Sequence, residues 1–297
     1  MARRVPRPAG AGAWGRSMGQ GLLRKSKIGD NKSTQVDLWG GACMVRQVEN
    51  VLLVLEYFAE RRAPATVAEM TDHFGWPRSS AFNIVSTLAE RGYLYEPRAR
   101  GAYYPTPRWL TMAQAVSEAD PVPAALTRVL DRLVDETGET AWIARASGLH
   151  VVMLDVRESP QMLRYVARPG MRLPIHVTGS GQALMARMAT AEREALLKRI
   201  RYQAYNRNSP MEAETVRQQI ADSEERGWFM SNSAFSSDLA GVALPIRIDG
   251  HAYAVTTAGP ENRFVPRMPE IAAAIRGAVA AECGAGALDM TPLRAEA

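Results

Sequence analysis

The sequence predicts an α+β protein in two folded parts, and three observations carry that prediction. Apolar residues recur at helical spacing from Val45, with two short helices in close succession before a strand-like stretch near Tyr93. Beyond position 120, strand-like and helix-like segments alternate, with hairpin-type turns at Ser147-Gly148 and Asp249-Gly250. The 297 residues and 46% hydrophobic content suit two sizeable cores.

Residues 1–44 are rich in Gly, Arg, Ser and Pro and show no sustained period, which predicts a disordered basic tail. The folded part begins at Val45. Val48, Val51, Leu52, Leu55 and Ala59 predict an amphipathic helix over 46–60. Thr66 with Glu69 three residues on forms a capping box, and Val67, Met70, Thr71 and Phe74 share one face of the short helix that follows. Gly75 suits the left-handed position that ends it, and Pro77 opens a third helix over 77–91, which stops at Gly92. Two short helices on a tight Gly-containing turn, behind a longer supporting helix, make a helix-turn-helix pattern. Tyr93-Leu94-Tyr95 and Ala102-Tyr103-Tyr104 then flank 96–101 as a β-hairpin, a wing. The winged helix-turn-helix thus spans 45–107, and 108–120 predicts a linker helix.

Residues 121–285 predict a second domain. A helix at 122–137 precedes strands near 140–146, 149–156 and 161–168. Helices follow at 180–188, 191–200 and 211–226, then strands near 228–232, 240–248 and 251–258. A helix over 266–283 closes the domain, and 286–297 reads as a disordered tail.

Charge is informative only once it is divided. The tail holds eight basic residues against two acidic ones, so the rest of the chain sums to −1 of the overall +5. Within the folded part, 77–108 carries five arginines against Glu90 and Glu96, the kind of local excess that nucleic acid attracts. No run of 18 apolar residues predicts a membrane span, and no apolar segment near the start predicts a secretory signal. Two cysteines, Cys43 and Cys283, are too few for a disulfide framework and fit a reducing cytoplasm.

The helix at 77–91 carries the strongest chemical signal. At 100° per residue, Ala81, Ile84, Val85 and Leu88 fall on one side. Ser79, Ser80, Asn83, Ser86 and Thr87 fall on the other, with Arg78 at the helix start. Solvated helix faces favour Glu and Lys, whereas short hydrogen-bonding side chains let a helix lie against base edges in a major groove. The expected DNA-contacting residues are therefore Arg78, Ser79, Ser80, Asn83 and Thr87, with Arg98 and Arg100 at the wing tip for phosphates or the minor groove. Gly179-Ser180-Gly181 falls where a helix begins, and its unpaired N–H groups suit a ligand carboxylate or carbonyl as well as a plain tight turn. It is neither a Walker loop nor a nucleophile elbow. The four histidines and two cysteines show no metal-ligand spacing, and His176 reads as a satisfied structural histidine. Asp155 and Glu158 have no evident acid–base partner, so no catalytic residue and no cofactor is expected.

These motifs resemble those of IclR-family transcriptional regulators, from about Val45 to Cys283. The supporting helix, helix-turn-helix and wing match the family's N-terminal pattern. Gly170 to Ala186 resembles its Gly-x-x-x-Pro-Leu-His-x-Thr-x-Ser-Gly-Lys-Ala-Leu-Leu-Ala motif, with Gln182 in place of lysine. Arg226-Gly227-Trp228 through Ala243, Pro245, Gly250 and Gly259-Pro260 to Arg263 resembles its C-terminal signature. Two positions depart from it. Ser231-Asn232-Ser233-Ala234 replaces an acidic run, and Gly241 stands where cysteine is common. The resemblance implies a GAF-like effector-binding domain, a homodimer or dimer of dimers, double-stranded operator DNA as partner, and control of a catabolic operon. It implies effector contacts at Gly179 and Ser180, with Ser231, Gly241, Thr256 and Ala258 opposite. Small residues at 241 and 258 and the loss of an acid at 231 shift the expected effector from short oxo-acids toward an aromatic or similarly bulky acid. A metabolic enzyme with a docking-type N-terminal domain, and a chromatin-like protein driven by its tail, are the competing expectations. Turnover by the purified chain and the salt dependence of its DNA binding separate them.

Overall fold

The computed structural model describes residues 45–97, 101–119 and 121–288. The first part holds α1 (Arg46–Arg61), β1 (Ala65–Thr66), α2 (Val67–Phe74), α3 (Arg78–Glu90), β2 (Leu94–Tyr95) and β3 (Ala102–Pro105). The capping box forms as its spacing requires: Glu69 N–H donates to Thr66 Oγ1 at 3.2 Å, and Thr66 N–H donates to Glu69 Oε2 at 2.8 Å. That backbone bond, with the Arg61 guanidinium beside it, holds the Glu69 carboxyl below its usual range. Gly75 ends α2 at φ +67°, the left-handed region where glycine carries no Cβ penalty. Val54 and Phe58 from α1 close over Met70, Val85, Leu88 and Leu94 to make one small core.

The wing sheet has a third strand that the sequence reading missed. Its order is β1-β3-β2, with Ala65 opposite Tyr103 and Tyr95 opposite Tyr104. The helix α4 (Arg108–Ala119) occupies the linker. Its start is tied back to the wing: Trp109 Nε1 donates to the Tyr93 carbonyl at 3.0 Å, and Arg108 donates to the Arg91 carbonyl at 2.9 Å.

The second part is built on a six-stranded antiparallel sheet. It comprises α5 (Ala124–Thr137), β4 (Thr140–Ser147), β5 (His150–Arg157), β6 (Arg172–Pro174), α6 (Gly179–Met185), α7 (Thr190–Arg199) and α8 (Ala213–Arg226). Next come β7 (Phe229–Asn232), β8 (Leu239–Ile248), β9 (His251–Pro260), α9 (Glu261–Phe264) and α10 (Met268–Cys283). The strand order is β6-β5-β4-β9-β8-β7. Helices cover both faces. Leu126, Leu130 and Leu133 of α5 and Ile271 and Ile275 of α10 pack on Ile143, Val242 and Val255. On the other face, Ala183 and Met185 of α6, Leu197 of α7 and Ile220 of α8 pack on Trp142, Phe229 and Ala254. The Asp249-Gly250 hairpin has φ values of +50° and +79°, the paired positive angles of a two-residue turn that matches strand twist.

Two expectations fail. Residues 161–168 form no strand; the strand on that side is Arg172–Pro174. Tyr165 and Ala167 face inward while Met162, Leu163 and Val166 are exposed, so the alternation reflects a segment draped over the sheet without pairing. The C-terminal tail does not begin at 286. A 3₁₀ turn at Ala285–Leu288 buries Ala287 against the α5/α10 core. Residues 1–44, 98–100, 120 and 289–297 lie outside the described residues, so the two expected tails are not described beyond that point.

Candidate functional site

Two places gather the residues singled out from the sequence. On α3, Ala81, Val85 and Leu88 are buried, which turns the opposite face outward. Arg78, Ser79, Asn83 and Thr87 are exposed there and Ser80 is half-buried. Thr87 donates its hydroxyl to the Asn83 carbonyl at 2.7 Å, so its oxygen remains available as an acceptor and not as a donor. Ser86 turns back to the same carbonyl at 3.2 Å. The projection passed over Phe82, which is 54% exposed at the edge of this face. Arg98 and Arg100 lie outside the described residues.

The second place lies beneath the start of α6. Strand register sets its floor. Ser231, Gly241, Ala258 and Thr140 stand opposite one another across β7, β8, β9 and β4, and Ala243, Thr256 and Trp142 form the next row. Alternate residues of a strand share a face, so both rows look toward α6. Gly179, Ser180, Ser231, Gly241, Thr256 and Ala258 all line one cavity of about 30 Å³ there. That volume holds one or two water molecules. Trp142, Tyr165, Leu173, Thr178, Phe235 and Leu239 complete the wall. Sequence reasoning missed these, apart from noting Phe235 as aromatic surface. Among the described residues, no lining residue carries a charge.

Three buried polar atoms in this wall have no hydrogen-bond partner among the described residues: Trp142 Nε1, Ser180 Oγ and Thr256 Oγ1. Their residues are 4%, 1% and 3% exposed, so water does not solvate them from outside. Thr178, by contrast, is spent on structure, since its Oγ1 accepts from Gly181 N–H at 3.1 Å and donates to the Pro174 carbonyl. Gly181 is structural as well, because a Cβ there would collide with the Ile175 carbonyl. A Cβ on Gly179 would press on the Met230 backbone at 3.2 Å. At Gly241 an added Cβ would meet Ala258 Cβ at 3.2 Å, so this position governs how much of the floor is open.

The remaining motif residues build the frame. Glu139, 2% exposed, accepts from Nε and Nη2 of Arg263 at 2.6 and 2.8 Å, and Gly259 leaves room for its carboxylate. Ser233 and Arg207 both donate to Glu261, the Ser233 bond at 2.7 Å, and hold that carboxyl below its usual range. His176, which the sequence reads as satisfied, is buried and packs near the Tyr202 and Tyr205 rings, and neither ring nitrogen has a partner among the described residues. Burial pushes its pKa down to about 4. A separate groove of about 320 Å³, lined by Gln182, Gln219, Asp222 and Arg226, meets the inner cavity's lining at Ser231. Among the described residues no group of three or more His, Cys, Asp or Glu is placed to hold a metal, and no helix is long and apolar enough to cross a membrane.

Comparison with known proteins places this architecture. Residues 113–283 match the model of the bacterial transcriptional regulator IclR C-terminal domain, and residues 47–98 match the IclR helix-turn-helix domain. The chain is similar to a protein of Cupriavidus necator named as the transcriptional regulator SauR, 27% identical over 65% of this chain and 77% of that one. It is similar to the acetate operon repressor of Salmonella typhimurium, 22% identical over 78% and 86%. Among solved structures, the Thermotoga maritima IclR superposes with a TM-score of 0.67 at 19% identity, covering 82% of this chain and all of that one. An IclR homologue from Microbacterium hydrocarbonoxydans, complexed with 4-hydroxybenzoate, superposes at 0.57 and 22% identity, covering 79% and 99%. With the C-terminal model alone spanning more than half of its length, the chain belongs to the IclR family, as a helix-turn-helix transcriptional regulator and not an enzyme.

Proposed function

We propose that this chain regulates a catabolic operon, binding double-stranded operator DNA through the polar face of α3 and the wing, under control of an aromatic carboxylic acid held beneath α6. The observation that carries the effector half is the convergence of Trp142 Nε1, Ser180 Oγ and Thr256 Oγ1, all unpartnered among the described residues, on one cavity. Buried polar groups cost stability until they are bonded. All three can donate, and a carboxylate offers acceptors only. The rings of Trp142, Tyr165 and Phe235 offer apolar surface for an aromatic body. Burial pushes the Tyr165 phenol up to about 12, so it stays protonated.

At about 30 Å³ the cavity admits such a ligand only when a wall yields. The sheet floor and the α6 turn are locked by close backbone packing at Gly179 and Gly181. Tyr165, Phe235 and Leu239 are half-buried, and the first two lie on irregular segments. Effector binding therefore favours a conformation with this outer wall displaced, which couples the ligand to the protein's shape.

The Microbacterium homologue makes 4-hydroxybenzoate the first ligand to try. Calorimetric titration of the full chain with 4-hydroxybenzoate, benzoate, pyruvate and glyoxylate tests the reading. Binding of the aromatic acids, abolished by Ser180→Trp, is expected. Binding of the short acids alone, or indifference to Ser180→Trp, overturns it. The regulator is taken to work in the cytoplasm as a homodimer or a dimer of dimers. Two-fold symmetry doubles the bases read, and α4 leaves Leu110, Met112 and Val116 exposed for a partner copy.

A further inference from the structure

We propose that Phe82 determines part of the operator sequence by packing against the C5-methyl group of a thymine in the major groove. The proposal rests on the DNA-binding reading of α3 and adds to it a base identity.

Phe82 is the fifth residue of α3 and is 54% exposed, although the core behind it is complete without it. Tyr57, Phe58, Phe74, Trp76 and Tyr104 each pack on another ring of this unit. Among the described residues, Phe82 makes no such ring contact. Its helix neighbours do not shield it. Ser79 and Ser86 stand three residues before and four after it, and the Ser86 hydroxyl is folded back onto the Asn83 carbonyl. The ring therefore projects beyond the short polar side chains, on the same surface as Arg78, Ser79 and Asn83.

A phenyl ring has no donor or acceptor with which to meet a phosphate or a base carbonyl. Of the groups displayed on base edges in the major groove, the thymine methyl is the apolar one. A ring near the N-terminal end of a recognition helix is where base edges are read. The polar side chains beside it supply hydrogen bonds, and Arg78 and the surrounding arginine excess bring the helix to the duplex. Phe82 then adds what those groups lack, a preference for thymine over cytosine at one position of each half-site.

The test uses the full chain and a duplex selected by it from a random pool. Each thymine of the recovered site is replaced singly by deoxyuridine, which keeps base pairing and removes only the methyl. Losing one buried methyl is expected to weaken binding about fourfold at one position per half-site. In Phe82→Ala that deoxyuridine effect disappears, whereas Phe82→Leu retains part of it. Circular dichroism confirms that both variants fold, as the exposure of the ring implies. Insensitivity to every deoxyuridine substitution, or an effect that persists in Phe82→Ala, overturns the proposal. So does a change in association state of Phe82→Ala, which would assign the ring to a protein contact. Failure of the wild-type chain to enrich any duplex overturns the DNA-binding reading itself.

Discussion

Replacing Thr256 by valine should move stability and ligand affinity in opposite directions. The Thr256 hydroxyl is buried and has no partner among the described residues. An unsatisfied buried hydroxyl costs about 1–3 kcal/mol, and valine keeps the shape while placing a methyl in its stead. The ligand-free variant should be about 1–2 kcal/mol more stable, which raises Tm by about 2–4 °C per kcal/mol for a body of this size. With 4-hydroxybenzoate the same change removes a hydrogen bond and strands an acceptor, so affinity should fall about tenfold. Thr140 is the control. Its Oγ1 donates to the Tyr165 carbonyl at 2.7 Å and accepts from Ser159 N–H at 3.1 Å. Thr140→Val should therefore destabilise by about 1–3 kcal/mol. Differential scanning calorimetry and titration calorimetry on the two variants read both quantities. A Tm loss for Thr256→Val like that of Thr140→Val, or an unchanged affinity, refutes the assignment of this hydroxyl to the ligand.

Four further outcomes are expected. His176 titrates near 6.5 when unfolded but near 4 when folded, so the unfolded chain binds the proton first. Stability is then lost as pH falls from about 6.5 toward 4, by about 2–3 kcal/mol, and urea melts of His176→Phe should show that part of the slope removed. Asn83→Ala should cost about 1–3 kcal/mol in operator binding and relax base choice, read by fluorescence anisotropy. Arg263→Met strands the buried Glu139 carboxylate and should cost about 3 kcal/mol in chemical denaturation, whereas exchange of exposed Arg128 should cost under about 1 kcal/mol. Val116→Glu on the exposed face of α4 should shift light scattering toward monomer; an unchanged mass would place the interface elsewhere.

The N-terminal unit was legible because its signals are local. The Thr66–Glu69 box, Gly75 and the buried stripe of α3 lie within a few residues of what they specify. The two-residue strand β1 was not, since only its pairing with β3 defines it. Residues 161–168 misled because alternation was present without a neighbouring strand to pair with. Thr140 takes the Tyr165 carbonyl with a side-chain hydroxyl where a ladder bond would stand. The cavity was half legible. Ser180, Ser231, Gly241, Thr256 and Ala258 came from motif resemblance, and the fold brings them together. Trp142 belongs to the wall through long-range register, opposite Thr256 on a strand more than a hundred residues away, and Tyr165 through a segment tied to the sheet by the Thr140 hydroxyl. No spacing in one sequence encodes that pairing. Phe82 left a signal that went unused, an apolar side chain about 100° from the centre of the buried face of α3.

The motif residues divide into two sets by what surrounds them, and this division explains how such a fold changes ligand without changing frame. Gly181 and Gly259 are fixed by backbone and carboxylate atoms that a side chain would strike, and Glu139 is fixed by Arg263. None of these four is among the cavity's described lining residues, so on the proposed reading substituting them costs stability and leaves specificity untouched. Ser231, Gly241 and Ala258 are neighbours in one row across three strands, all three line the cavity, and a Cβ added at Gly241 would meet Ala258 Cβ and, further off, Ser231 Oγ. Exchange within that row alters the volume and polarity of the floor with no strand moved. An acid at 231 or a thiol at 241 would fill the space beside Ala258, and their absence here leaves a neutral floor whose polar demand falls on Ser180, Thr256 and Trp142. On the proposed reading, the chemistry of the effector is thus set by a few side chains resting on pairs that the frame keeps constant.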